Sequence, residues 1–240
     1  MTYLALVRHG QSEWNLQNRF TGWVDVDLTD QGRAEAIKSG ALLKATGISF
    51  AEAYTSVQTR AIRTLNMALD EMGMLWLPVI KDWRLNERHY GGLTGLNKKE
   101  TAEKHGEEQV KIWRRSYDTP PPPIPDDNPH NPANDPRYAA LGDRVPKTES
   151  LKLTLERVTP LWESEIAPRL EKGESLIVAA HGNSLRALVK LLLNVSDQDI
   201  VGVEIPTGNP LLFEFEDGSL KVKSARYLDE TRAMPIPFEA

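Results

Sequence analysis

The 240-residue chain contains no cysteine, and that one absence removes disulfides, thiolate metal sites and a thiol nucleophile together. A reducing cytoplasm is the expected compartment. Long hydrophobic runs are also missing, since no stretch approaches the roughly 18–20 apolar residues that a membrane span requires. Nor is there an excess of positive charge: 29 Lys and Arg against 34 Asp and Glu leave a formal charge of −5. Nucleic acid and anionic membranes both select basic surfaces, so neither is expected as the main partner. No Gly-x-Ser-x-Gly elbow and no His-Glu-x-x-His helix occurs, which sets aside the serine hydrolases and zinc proteases built on them. What remains is an ordinary globular composition, 40% hydrophobic and 26% charged, with enough chain to bury a large core.

Residues 3–7 are apolar at every position and too few for a useful helix, the pattern of a strand covered on both faces. No charged leader or cleavage site precedes them. Residues 176–180 repeat the pattern. Thr29 is a predicted N-cap for a helix over about 30–46, with Ala34, Ile37, Ala41 and Ala45 at helical spacing and Gly47 just past its end. A short strand at 53–55 leads to Ser56, a predicted cap for a helix carrying Ile62, Leu65, Ala68, Leu69 and Met72. Val79-Ile80 predicts another strand, and Asn97 opens a helix that runs toward Gly106, with 107–117 continuing helically. Eight of the 16 prolines fall between 120 and 136, a composition expected to form a long irregular surface excursion. A helix from 151 to 170, kinked or divided at Pro160 and Pro168, precedes the second apolar strand and a helix over 185–193. Asp217-Gly218 predicts a hairpin between 211–215 and 220–222. This alternation predicts an α/β fold, a three-layer α/β/α sandwich with a mainly parallel central sheet, whose ligand crevice lies at the carboxyl ends of the strands.

Both wholly apolar strands end in His-Gly, at His9-Gly10 and His181-Gly182. If the strands are neighbours, the two imidazoles converge in that crevice. A lone histidine at a strand end is more often a satisfied structural residue; repetition of the whole strand-His-Gly-helix arrangement reverses that preference. Metal is the weaker reading, because two histidines fall short of a three- or four-ligand site. Phosphate is the stronger one: glycine admits a ligand to the backbone, a helix N-terminus offers N–H groups, and Arg8 and Arg60 supply planar guanidinium donors. Arg63 is read as a solvated surface charge. With no cysteine or serine elbow, histidine remains as the nucleophile, which would yield a phosphohistidine. Glu87 is the carboxylate best placed by context for proton transfer.

The motifs Arg8-His9-Gly10-Gln11-Ser12-Glu13-Trp14-Asn15, Phe20-Thr21-Gly22-Trp23, Leu85-Asn86-Glu87-Arg88-His89-Tyr90-Gly91, Gly95-Leu96-Asn97-Lys98, Trp113-Arg114-Arg115, Thr148-Glu149-Ser150-Leu151, His181-Gly182-Asn183-Ser184-Leu185-Arg186 and Ile205-Pro206-Thr207-Gly208 make the chain resemble the histidine phosphatase superfamily. Within it, the chain is most similar to the cofactor-dependent phosphoglycerate mutases, over nearly all of residues 3–227. The resemblance implies a phosphoglycerate mutase-like fold spanning 1–240 as one domain, with an inserted helical and proline-rich lid region at about 92–147 and a short C-terminal tail at 228–240. It implies that His9 is phosphorylated, that Arg8, Arg60 and His181 surround the transferring group with Asn15 and Gly182, and that Glu87 is the acid/base. Thr21, Gly22, Tyr90, Lys98, Arg114, Arg115 and Asn183 would hold the rest of the substrate.

The implied reaction interconverts 3-phosphoglycerate and 2-phosphoglycerate in glycolysis and gluconeogenesis. 2,3-Bisphosphoglycerate is the implied cofactor that primes His9, and no metal is expected. The implied partners are small phosphoglycerates and further copies of the chain, with a homodimer as the expected assembly and the segment 75–83 as its interface. A histidine phosphatase releasing phosphate to water, a bisphosphoglycerate-forming variant and a non-catalytic phosphoprotein-binding scaffold are the rival readings. The short tail, which lacks the alanine-rich ending common among relatives, is what gives the phosphatase its standing.

Overall fold

A computed structural model of the chain describes residues 1–238. The two wholly apolar runs form neighbouring parallel strands, β1 (Thr2–Arg8) and β4 (Ser175–Ala180), in register from Leu4 opposite Leu176 to Arg8 opposite Ala180. Parallel strands β2 (Phe50–Thr55) and β3 (Val79–Lys81) extend the sheet beyond β4. On the other side of β1 run antiparallel β5 (Leu211–Phe215) and β6 (Val222–Tyr227). Among the described residues the order is β3-β2-β4-β1-β5-β6, a mainly parallel sheet as expected.

Alternation along β1 sends Ala5 and Val7 to one face and Leu4 and Leu6 to the other. The first face is covered by α2 (Asp30–Ala45) and α3 (Thr59–Met72), through Leu43, Leu65 and Leu69. The second is covered by α6 (Leu151–Leu161), α7 (Ala167–Glu171) and α8 (Gly182–Leu193), through Leu161, Leu170 and Leu188. These are the three layers of an α/β/α sandwich. A four-residue helix, α1 (Glu13–Leu16), and a pair beyond the sheet, α4 (Lys98–His105) and α5 (Glu107–Arg115), complete the α-helices among the described residues.

Local chemistry accounts for most boundaries. The Thr29 hydroxyl accepts the Gly32 N–H at 3.1 Å to cap α2, and Asn97 caps α4 by accepting from Lys99 and Glu100. Between Pro160 and Pro168 the chain takes a π-helical turn, Trp162–Ile166, and then resumes as α7. A proline cannot donate to the preceding turn, and the wider turn absorbs that mismatch, dividing the helix between the two prolines.

Several expectations are corrected. Ser56 is not the cap of α3, which starts after Gln58; its hydroxyl is engaged by His181 instead. α8 begins at Gly182, three residues before the predicted 185. The second hairpin arm is β6 rather than 220–222, because the chain reverses through 216–221 with the Glu216 N–H donating to Lys221 O. The proline-rich segment is irregular but not purely superficial. Ile124 is buried and its N–H donates to Lys147 O, Pro122 O accepts from Gly92, and Pro121 O accepts the Thr148 hydroxyl. Carbonyls remain available where proline has removed donors, so the segment is stitched down by acceptance.

Asp229, at the start of the expected tail, accepts from Lys38, and its backbone pairs with the side chain of Asn209. Arg232 donates to Thr207 O at 2.8 Å, and Met234 and Ile236 lean on the larger core layer. The last two tail positions, 239 and 240, lie outside the described residues.

From β1 the chain moves through α2 toward β2, whereas from β4 it moves through α8 toward β5. The connections diverge between β1 and β4, which opens a crevice at their carboxyl ends.

Candidate active site

His9 and His181 stand at the mouth of that crevice because each follows the last residue of its strand. Their rings lie 5.0 Å apart between centroids, inclined by 59°, and both side chains are buried. The His9 N–H donates to Ala180 O at 3.0 Å, tying the end of β1 to the end of β4. Around the rings the cleft is lined by Arg8, Asn15, Thr21, Arg60, Glu87, Tyr90 and Lys98. Farther out it continues along Arg114, Arg115, Gly182 and Asn183. Gly22, expected at the substrate end, gives its carbonyl to Arg60 Nη2 and Gln58 Nε2, at 2.9 Å each.

The two ring nitrogens of His9 have different tasks. Nδ1 lies 2.7 Å from Gly10 O. A carbonyl can only accept, so the ring proton sits on Nδ1 and Nε2 keeps its lone pair. Burial first, then the charges of Arg60 and Arg8, pushes the His9 pKa well below 6.5. The imidazole is therefore neutral and nucleophilic at neutral pH.

His181 is held neutral in the same way, by burial first and then by Arg60, His9 and Arg8. Its Nε2 lies 2.7 Å from Ser56 Oγ, which also accepts the Gln58 N–H at 3.2 Å. If the Ser56 hydroxyl donates to Nε2, the His181 proton resides on Nδ1, a buried atom with no protein partner among the described residues. Arg8 Nε and Arg60 Nε are buried donors in the same condition. Other nitrogens hold the two side chains in place: Arg8 Nη1 donates to Ile205 O at 2.8 Å, and Arg60 Nη1 and Nη2 donate to Val24 O and Gly22 O. Burial lowers the Arg60 pKa to about 10, against the opposing charges of Glu87 and Asp25, so it remains a cation. Buried donors without acceptors are costly; their grouping around one cleft marks a place for an oxyanion.

Glu87 is oriented through one oxygen. Its Oε1 accepts from the Arg88 N–H at 2.8 Å and the Asn183 N–H at 3.1 Å, the latter from the first turn of α8. That leaves Oε2 toward Gly182, where an added Cβ would lie 3.7 Å from it and 3.5 Å from Arg8. A methyl group at Gly182 would therefore rest in ordinary van der Waals contact with both the carboxylate and Arg8. Gly10 differs: a Cβ there would come within 2.0 Å of Gly32 O, so its requirement is backbone packing rather than ligand approach. Asn15 offers its Oδ1 to the Ser12 N–H at 3.1 Å, which leaves the amide nitrogen as the donor toward the cleft.

Asn183 joins the inner and outer parts of the cleft. Its Nδ2 donates to Tyr90 Oη at 3.1 Å and its Oδ1 accepts from Arg186 at 2.9 Å. Burial pushes the Tyr90 phenol up, but Arg88 and Lys98 outweigh it and leave the pKa lowered. Lys98 is lowered by burial, with Arg114 and Arg8 adding to the effect and Tyr90 opposing it.

Ser56, Gln58, Arg88, Arg186 and Glu204 were not singled out as site residues from sequence. Ser56 looked like a cap, and Arg88 and Arg186 belong to the resembling motifs but carry no local signal of facing a ligand. Arg63, read as a solvated charge, pairs with Asp27. Among the described residues no group of three His, Asp or Glu side chains is arranged to hold a metal ion, and no helix is long and apolar enough to cross a membrane.

A family model described as the histidine phosphatase superfamily (branch 1) matches residues 4–131. The 2,3-bisphosphoglycerate-dependent phosphoglycerate mutase of Maricaulis maris (strain MCS10) is 63% identical over 238 residues, covering 99% of this chain and 98% of that protein. Its counterpart from Caulobacter sp. (strain K31) is 65% identical over 237 residues, with 99% of each covered. The solved structure of a mycobacterial hydrolase aligns with a TM-score of 0.70 at 21% identity, covering 95% of this chain and 97% of that one, a likeness of fold.

Proposed function

This chain belongs to the histidine phosphatase superfamily, and from that membership we propose that it interconverts 3-phosphoglycerate and 2-phosphoglycerate through a phosphohistidine at His9. The carrying observation is that His9, whose Nδ1 faces Gly10 O and whose Nε2 is left free, stands among three buried nitrogens without protein partners among the described residues, Arg8 Nε, Arg60 Nε and His181 Nδ1. That donor set also fits 2,3-bisphosphoglycerate, whose phosphates and carboxylate call for cations at both ends of the cleft. When bound, that cofactor supplies the phosphoryl group that primes His9.

The residues divide the work by position. His9 Nε2 carries the phosphoryl group; Arg8, Arg60 and neutral His181 donate to its oxygens, assisted by Asn15 and the backbone at Gly182. Glu87 Oε2 takes the proton from the attacking substrate hydroxyl and returns it on reversal. Thr21, Gly22, Tyr90, Lys98, Arg114, Arg115 and Asn183 hold the carboxylate and carbon skeleton, so that the substrate's hydroxyl meets phosphorus in line. Residues 92–147 and the tail 228–240 act as covers that limit water at the phosphohistidine within a single domain. The protein works in the cytoplasm on small phosphoglycerates, without metal or nucleic acid. It does so as a homodimer through the edge near β3, where Leu75 and Trp76 are exposed.

The distinguishing experiment measures phosphoglycerate isomerisation and inorganic phosphate release in parallel, with and without 2,3-bisphosphoglycerate. Isomerisation that depends on the cofactor and greatly exceeds phosphate release is expected. Predominant phosphate release would replace the mutase with a phosphatase.

A further inference from the structure

The outer cleft is mostly cationic, lined by Arg8, Lys98, Arg114, Arg115 and Arg186, yet two carboxylates share it, Glu87 and Glu204. Glu87 has a role in the reading above; Glu204 has none. Its side chain forms an ion pair with Arg115, a residue 89 positions away in sequence. Glu204 is not a loosely tethered surface residue. Its carbonyl accepts the Tyr227 hydroxyl at 3.1 Å, and the carbonyl of the next residue, Ile205, accepts from Arg8 Nη1 at 2.8 Å. The backbone carrying it is therefore pinned to both β6 and the catalytic arginine.

We infer that Glu204 is a specificity-determining residue: an internal carboxylate that occupies Arg115 until the anionic outer group of a substrate displaces it. This rests on the phosphoglycerate reading, which assigns Arg115 to the end of the substrate away from His9. The chemistry of exchange is matched, since a guanidinium pairs with an incoming carboxylate as it does with Glu204. The pair is half exposed, with Arg115 at 30% and Glu204 at 45% side-chain exposure, so its own strength is small and it can open. Once displaced, Glu204 stands beside the bound anion as a like charge. It thus moderates the grip of an otherwise strongly cationic cleft on ligands that carry a second anionic group. A small anion held only at the His9 end, between Arg8 and Arg60, does not compete for Arg115 and is little affected.

The test compares wild type with Glu204→Gln, which keeps shape and removes charge, and Glu204→Asn, which also withdraws the side chain. Two ligands are titrated: 3-phosphoglycerate by calorimetry, and orthovanadate as a phosphoryl-site probe by inhibition. Both variants are expected to tighten 3-phosphoglycerate about three- to tenfold while shifting the vanadate constant less than about twofold. Unchanged or weaker 3-phosphoglycerate binding would overturn the assignment, because Glu204 would then be inert or would position Arg115. Equal tightening of both ligands would also overturn it, by showing a diffuse electrostatic effect without local exchange. Turnover of phosphoglycerate by the wild type is read separately; its absence would strike the underlying reading rather than the exchange.

Discussion

The proton on His9 Nδ1 is held by Gly10 O, so a backbone carbonyl rather than a third side chain leaves Nε2 with its free lone pair. His181 depends on a different device, the hydroxyl of Ser56 at its Nε2. Both imidazoles were legible in the sequence, because each ends an apolar strand and is followed by glycine. Ser56 was not, since a serine between a strand and a helix reads as a cap, and only the folded chain brings residues 56 and 181 together. Ser56→Ala removes the hydroxyl that stands 2.7 Å from His181 Nε2. The expected result is a fall in kcat of about tenfold or more with a smaller change in KM, as for loss of a donor to developing charge. Steady-state kinetics check this, and a change confined to KM would instead mark Ser56 as a ground-state contact.

The loop between β3 and α4 shows how whole elements are held for the chemistry. Arg157 on α6 donates to Arg84 O at 2.7 Å and to Asn86 O and Glu87 O, while pairing with Glu149 at 2.7 Å. Glu149 in turn accepts the His89 N–H at 2.8 Å. One buried ion pair thus clamps the backbone on both sides of Glu87. Arg157→Leu would leave Glu149 buried without its counter-ion, and stability should drop by about 3–5 kcal/mol, measured as a lower urea midpoint at an unchanged slope. A loss below about 1 kcal/mol would mean that the pair is solvated. At this scale the sequence was clear where pattern and packing coincide, as in β1, β4 and the capped α2. It was opaque where tertiary acceptors decide, as in the proline-rich segment whose carbonyls are taken up by Gly92 and Thr148. It was opaque too at β6, an edge strand whose half-exposed, polar residues carry little apolar alternation.

Taken as a whole, the molecule surrounds an acidic chain's cationic cleft with neutral buried histidines, and this has a consequence for pH. His9 and His181 lie well below 6.5, and His89 is pushed down to about 4, chiefly by burial. An unfolded histidine binds a proton near pH 6.5, so the unfolded state takes up more protons as pH falls. Stability from these residues is complete above about pH 6.5 and is lost progressively below it, toward each folded value. Urea midpoints should therefore be level from about pH 7 to pH 8 and fall between about pH 6.5 and pH 5; a midpoint that rises on acidification would contradict the buried neutral state. The layered fold was legible from strand and helix alternation, and Arg8, Arg60 and Glu87 stood out by local context, but it is the folded chain that brings all three to one cleft. The central claim is that His9 accepts the phosphoryl group, and the most direct measurement is mapping of the acid-labile, alkali-stable phosphate after brief exposure to labelled 2,3-bisphosphoglycerate. A single label on His9, lost together with isomerisation in His9→Ala, is the predicted result. Label on another residue, or labelling and turnover that survive in His9→Ala, would contradict it.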